Sequence, residues 1–463
     1  MIDRSVSYWL ETCNEDLEPR EKLSNSITVD IAIMGAGYTG LWTAYYLLLQ
    51  DPSLKIAILE KEITGFGASG RNGGWCSPKF SVSPATSINR YGIETARQLQ
   101  LSMLNSVIDV ENVIQKEQID TDWKLAGSLQ IALGDQSLPA LEKSMQTYSK
   151  LGLEDHFQLL DKAQTDERVI IHGSAGCLLT KTSAVMHPGK LVRQLARILE
   201  RRGATIYEQT KVEKIIEGSS NKPAKLITPY GTVTAKQAVV IAGEAYLAQL
   251  SKFRRQLVPM YSLITLTEPI SEKKWAEIGW DNRETVGSTR LSVDYLQRTA
   301  DGRILFGGRG QPYRFGSKID KSLDKHQKTH EFLKSRLTDW FPSLKGIRFT
   351  HDWGGPVGIT RDWTPNILYN RQTKVASAWG FAGQGVSTTN LAGRILTDLI
   401  FEKDTELTSL PMVQHQSRKW EPEPFRWAGI RIVQSGLARL DDKNELEGKA
   451  PTGKTLIERI SKN

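Results

Sequence analysis

Cysteine is scarce: Cys13, Cys76 and Cys177 are the only three in 463 residues, far apart and without a CxxC spacing. That excludes a disulfide framework and a thiolate zinc site, and fits a reducing cytoplasm, where we expect the protein to reside. No apolar run approaches the ~20 residues of a membrane span, so none is expected. Residues 1–28 carry many charges and no apolar core, and no signal peptide is expected there. A basic block is missing too. The formal net charge is +8, yet Lys and Arg are interspersed with Asp and Glu, which argues against a nucleic-acid partner and leaves a mild bias toward anionic substrates. Neither a Ser/His/Asp arrangement nor a metal-spaced cluster stands out, and no metal is expected. What remains is a chain with 39% hydrophobic and 24% charged residues, long enough for two or three compact units.

The most informative stretch runs from Val29 to Glu60. Ile31 to Met34 is a short apolar run ending at Gly35-Ala36-Gly37-Tyr38-Thr39-Gly40; Leu41, Ala44, Tyr45 and Leu48 then recur at helical spacing, and Lys55 to Leu59 forms a second apolar run before Glu60. This is strand, glycine turn, helix, strand, acid. Gly35 permits the tight turn, Gly37 lets a pyrophosphate approach the backbone, and Gly40 lets helix and sheet pack closely. Amides at the helix start, with the positive end of its dipole, hold the phosphates. Glu60 ends the second strand, where a carboxylate accepts ribose hydroxyl protons and disfavours a 2′-phosphate. The pattern indicates dinucleotide binding.

A second glycine-rich stretch follows at Gly65 to Trp75. It contains a formal GxGxxG from Gly65 to Gly70, but lies too close to Glu60 for a fresh strand and precedes no acid-terminated strand. We read it as a loop that brings backbone amides up to a flat or anionic ligand.

Gly35 to Gly40, Glu60 and the G-A-S-G-R-N-G-G of residues 67–74 resemble the glycine oxidase and D-amino-acid oxidase family of FAD-dependent oxidoreductases, and within it the gamma-glutamylputrescine oxidoreductase-like branch. The resemblance implies an α/β fold: a discontinuous, Rossmann-like FAD domain of the glutathione-reductase type, with an inserted α+β substrate domain on a mostly antiparallel sheet. The expected boundaries are 1–84, 180–246 and 346–420 for the FAD domain, 85–179 and 247–345 for the substrate domain, and 421–463 for a C-terminal extension. It also implies FAD contacts at Gly35, Gly37, Tyr38, Thr39, Gly40, Glu60 and Lys61. Further contacts are implied at Ala68, Ser69, Arg71, Asn72, Gly73 and Gly74, at Val212 and Gly243, and at Gly383, Gln384, Gly385, Val386 and Ser387. The last group belongs to a strand–turn–helix after Val375, whose helix start faces the N1 and C2 edge of the flavin.

Along the rest of the chain, 85–118 has the pattern of one helical segment and 123–133 alternates as a strand. His187-Pro188-Gly189 opens a helix, then Gly203–Tyr207 and Thr210–Val212 read as strands. Strands are expected again at 258–269, 295–299 and 303–306, the last two joined by an Asp301-Gly302 turn. In the resembled branch these strands roof the flavin. Arg309, for binding a substrate anion, and Tyr261 are candidate catalytic residues, with Tyr261, Tyr295 and Trp353 as candidate pocket walls. The T-x-D-x-x-P of residues 360–365 matches the family's return turn. Members with cysteinyl flavin carry the cysteine just before it; Trp353 to Ile359 has none, so FAD is expected to be dissociable, with His351 the candidate for a histidyl link and for a catalytic role. His187 fits a helix cap or a base.

The implied reaction is oxidation of a primary or secondary amine, polyamine-derived or amino-acid-like, by hydride transfer to flavin N5. The imine product would be hydrolysed to an aldehyde or keto product, with oxygen or another acceptor taking the electrons. An N-methyl amino acid, D-amino acid or aminophosphonate substrate stays open, as do a non-enzymatic flavoprotein and an NAD-dependent dehydrogenase.

Overall fold

The computed structural model describes residues 6–310, 312–449 and 455. Two eight-stranded sheets organise these residues. The central strand of the first is Ile27–Met34, whose apolar run is buried between Ile56–Leu59 and Gly231–Ile241 and pairs parallel with both. Thr205–Tyr207 extends the sheet on one side, and Val375–Trp379 with Asn366–Asn370 on the other. Burial on both faces is what a parallel sheet demands. Helix Tyr38–Gln50 covers one face, with Leu41, Trp42 and Tyr45 fully buried. Helix Gly385–Ile400 lies against it so closely that a side chain on Gly393 would begin 2.8 Å from the Trp42 carbonyl carbon. Helix Pro188–Arg201 begins with proline at N1 behind His187, whose Nδ1 accepts the Lys190 amide at 3.1 Å. His187 is thus a helix cap, its Nε2 facing Thr12 Oγ1 at 3.1 Å.

The second sheet is mostly antiparallel. Leu257–Thr267 pairs with Phe349–Thr360 on one side and Ile304–Arg309 on the other, and the sheet continues through Asp294–Arg298, Thr285–Ser288, Ser128–Leu133, Ser174–Thr180 and Phe157–Asp161. Gly302, with φ +76°, turns the hairpin between Asp294–Arg298 and Ile304–Arg309. Phe349–Thr360 follows the boundary drawn at 346, yet pairs with this second sheet.

Three local expectations change. The helical segment after residue 84 is two helices, Pro84–Tyr91 and Ile93–Lys116, because Gly92 (φ +84°) breaks it. Thr210–Val212 forms no strand: the Thr210 amide donates to the Glu60 carbonyl at 2.8 Å, and its hydroxyl accepts from the Leu23 amide. Of 123–133, only Ser128–Leu133 is strand. The leader packs firmly, with Tyr8, Trp9 and Leu10 buried. Trp9 Nε1 donates to the Asn72 carbonyl at 2.8 Å and Ser7 Oγ to the Gly70 carbonyl at 2.6 Å, so the leader braces the second glycine loop.

Candidate active site

At the end of Ile27–Met34 the chain turns through Gly35 with φ +108°, where an added Cβ would sit 2.6 Å from the Ala242 carbonyl oxygen. A Cβ on Gly40 would come within 2.1 Å of the Gly35 oxygen. Both glycines are therefore required by backbone contact. Gly37 caps helix Tyr38–Gln50 without a side-chain bond, which leaves helix-start amides for phosphate oxygens. Gly243, which follows Ala242, closes the other side of the turn. Glu60 stands at the end of Ile56–Leu59 and accepts the Ala36 and Glu62 amides, each at 2.9 Å. Burial pushes its carboxyl above the usual range, with those amides opposing. Lys61 pairs with Glu62 at 3.2 Å on the surface, and Val212 is buried in the core under the same sheet.

The turn connects to the second glycine loop through the Tyr38 amide, which donates to Ser69 Oγ at 2.8 Å. Within that loop Asn72 Nδ2 donates to the Ala68 and Ser69 carbonyls and its Oδ1 accepts the Gly74 amide at 2.8 Å. Arg71 is buried; its guanidinium contacts Asp324 at 2.5 Å, the Gly354 carbonyl at 3.0 Å and the Phe66 carbonyl at 2.7 Å. It locks the loop onto the second sheet. Trp353 Nε1 donates to the Arg71 carbonyl, so this tryptophan supports the loop from behind. A Cβ on Gly73 would meet the Tyr295 ring at 2.6 Å.

Ahead of this loop opens a cavity of about 1000 Å³. Ala68, Arg71, Asn72 and Gly73 form part of its wall, and Gly383, Gln384, Val386 and Ser387, at the start of helix Gly385–Ile400, form another. Ser387 Oγ donates to the Ser77 carbonyl at 2.5 Å, tying the two walls together. Tyr261 and Tyr295 supply the sheet side. Burial raises both phenols to about 12, and Tyr295 shares a 2.8 Å hydrogen bond with Ser262.

Of the catalytic candidates, only Tyr261 is placed on the cavity. The strand position of Arg309 pairs with Ser262, but its side chain lies outside the described residues. His351 is brought elsewhere: its Nε2 faces Glu11 at 3.2 Å, its Nδ1 faces Thr350 Oγ1 at 2.8 Å, and Tyr8 packs on its ring. Among the described residues no cluster of His, Cys, Asp and Glu could hold a metal ion.

Three half-buried groups at the site carried no sequence signal. Lys79 lines the cavity just beyond Ser77; its Nζ is 6.0 Å from the Trp75 ring centroid, and among the described residues no carboxylate lies within ion-pair distance. Burial lowers its pKa, with Asp294 opposing. Asp294 lines the same cavity and accepts from Ser288 through both amide and hydroxyl at 2.8 Å, while burial raises its pKa. Glu244 accepts the Gly358 amide at 2.9 Å and the Gly380 amide at 2.8 Å, joining segments of both sheets; burial raises it to about 7. Helix Phe425–Glu447 forms the remaining wall. Its spacing was legible: Gly429 and Ile430, Val433 and Gln434, Leu437 and Ala438 recur on one helical face.

A parallel sheet with a glycine-edged dinucleotide turn, opening through a second glycine loop into a cavity beside an antiparallel sheet, defines a dinucleotide-dependent enzyme. The DAO family model, FAD dependent oxidoreductase, matches residues 30–399, and the chain belongs to that family. It is 30% identical to gamma-glutamylputrescine oxidoreductase of Escherichia coli (strain K12) over 86% of this chain and 90% of that protein. A probable oxidoreductase, OrdL, of Haemophilus influenzae is 29% identical over 87% of this chain and 89% of its own length. Among solved structures, glycine oxidase from Geobacillus kaustophilus superposes with a TM-score of 0.71 at 21% identity, covering 84% of this chain and 99% of that one. The cofactor is FAD. The glycine cradle and the carboxylate of Glu60 fit its adenosine half, and the Ala68–Gly73 and Gly383–Ser387 walls fit its ring.

Proposed function

We propose that the protein oxidises a primary or secondary amine, polyamine-derived or amino-acid-like, to an imine that water hydrolyses to an aldehyde or keto product, with oxygen as acceptor. The observation that carries this reading is the cavity itself: it meets both glycine loops and holds Lys79, which among the described residues has no carboxylate within ion-pair distance. FAD, held by Gly35, Gly37, Gly40, Glu60 and the two loops, supplies the two-electron oxidant. The chain supplies position, desolvation and charge. Tyr261 and Tyr295 stay protonated and wall off water. Where Lys79 holds its proton, it disfavours a second ammonium in the same cavity, so a bound amine loses its proton more readily and presents its lone pair. In the overall balance the amine loses two hydrogens, oxygen becomes hydrogen peroxide, and water replaces the imine nitrogen.

The resemblance to gamma-glutamylputrescine oxidoreductase favours an amine over a hydroxy acid as substrate. Aerobic incubation with gamma-glutamylputrescine and with N-methyl amino acids should consume oxygen and release peroxide and carbonyl product in equal amounts for at least one of them. Carbonyl formation without oxygen uptake would replace oxygen by another acceptor. Neither product from any amine would overturn the reading.

A further inference from the structure

The family match ends at residue 399, yet the cavity is completed by a helix beyond it, Phe425–Glu447. Its inner face is not loosely laid over the opening. Ahead of it, Trp420 Nε1 donates to the Ile359 carbonyl at 2.9 Å. Glu423 accepts from Tyr313 Oη at 2.7 Å and from the Gly316 amide at 2.9 Å. Midway, Gln434 accepts the Tyr313 amide at 3.0 Å, and near the end Asp441 accepts the Leu291 and Ser292 amides at 3.0 and 2.6 Å. These bonds fix which face of the helix lines the cavity.

The cations around the cavity differ in how they are used. Arg71 is taken by Asp324, Arg361 by Glu421 at 3.2 Å and Arg426 by Glu423 at 3.0 Å. Arg290 lies 4.0 Å from Asp441 and 3.8 Å from Asp442. Arg431 also lines the cavity, half-buried on the helix, and among the described residues no carboxylate lies within ion-pair distance of it. A guanidinium in a partly desolvated wall, without an acid, is suited to bidentate pairing with an incoming anion.

We propose that the C-terminal helix is a substrate-binding element and that Arg431 on it is a specificity residue, pairing with an anionic group of the amine substrate. The proposal rests on the amine-oxidising reading above and narrows it: amines carrying a carboxylate are preferred over their neutral counterparts. The helix also sets the size of the substrate, because Gly429 lines the cavity and a Cβ there would meet nothing within 4 Å. A side chain introduced at Gly429 therefore starts in open space on that wall.

The test uses full-length protein loaded with FAD. Under anaerobic conditions it is titrated with sarcosine, 4-aminobutanoate and 5-aminopentanoate, each beside its carboxamide, and the flavin absorbance is followed for perturbation on binding or bleaching on reduction. The wild type should respond to at least one carboxylate at lower concentration than to its carboxamide. Arg431→Gln should raise the half-saturating concentration of that carboxylate about tenfold or more, the scale of one charged hydrogen-bonded contact, while moving that of the carboxamide less than about twofold. Arg431→Lys should restore part of the preference. Gly429→Phe should weaken both ligands while retaining FAD. Equal shifts for acid and amide in Arg431→Gln, unchanged titrations in Gly429→Phe, or a wild type that no carboxylate perturbs would each overturn the proposal. Perturbation without bleaching by any amine would contradict the proposed activity instead, and the preference for the acid would still be read.

Discussion

The nucleotide turn and the substrate cavity are neighbours built on opposite principles. Around Gly35 and Gly40 the fit is made by backbone: carbonyl oxygens stand 2.6 and 2.1 Å from where a Cβ would be, and only glycine satisfies that. Around the cavity the fit is made by side chains from remote segments, Lys79, Tyr261, Asp294 and Arg431 among them. Close backbone packing leaves a fixed motif in the sequence. A wall assembled from side chains leaves almost none, and it is the part free to set substrate choice.

The sharpest way to break this contrast is to add a single methyl group in each region. Gly40→Ala forces backbone apart and should yield protein that purifies without flavin colour, whereas Gly429→Ala should purify fully yellow; the absorbance ratio of flavin to protein checks both. A yellow Gly40→Ala would remove the backbone argument.

A smaller effect is expected inside the cavity. Lys79→Met removes the positive charge that disfavours a bound ammonium, so the pKa of the bound amine rises and the acid limb of the kcat profile moves to higher pH. A profile that stays in place would deny Lys79 that role. FAD content should be unchanged, because the nucleotide turn does not depend on it.

The smallest effect belongs to Glu244, which joins the two regions. Its pKa is raised from 4.5 to about 7 by burial, so the folded state favours the protonated acid. Its contribution is fully present below the ordinary value and is lost as pH rises through about 7. Compared with Glu244→Gln, the wild type should therefore lose thermal stability between about pH 5 and about pH 8. A constant difference in Tm across that range would contradict the assignment.

How much was legible follows the same division. The first strand, the glycine turn, helix Tyr38–Gln50 and Glu60 could be read because apolar periodicity and glycine spacing are local properties. The Asp301-Gly302 hairpin was legible for the same reason. Thr210–Val212 was misread as a strand because its hydrogen bonds go to Glu60 and Leu23, which no local pattern reveals. His351 seemed chemical by type, but its place against Glu11 and Tyr8 is set by where the leader packs. Lys79 sits in an unremarkable Ser-Pro-Lys-Phe, and only the fold shows that it lines the cavity with Asp294 as its charged neighbour. The C-terminal helix had a readable face, but nothing in its composition says that this face meets the cavity.

The central claim is that FAD and an amine meet in this cavity, and the most direct test is the visible spectrum of the purified protein, recorded anaerobically before and after adding amines. The account predicts a yellow protein whose flavin band is bleached by at least one amine class. A colourless protein, or a yellow one that no polyamine, gamma-glutamylated amine, N-methyl or D-amino acid or aminophosphonate bleaches, would contradict it.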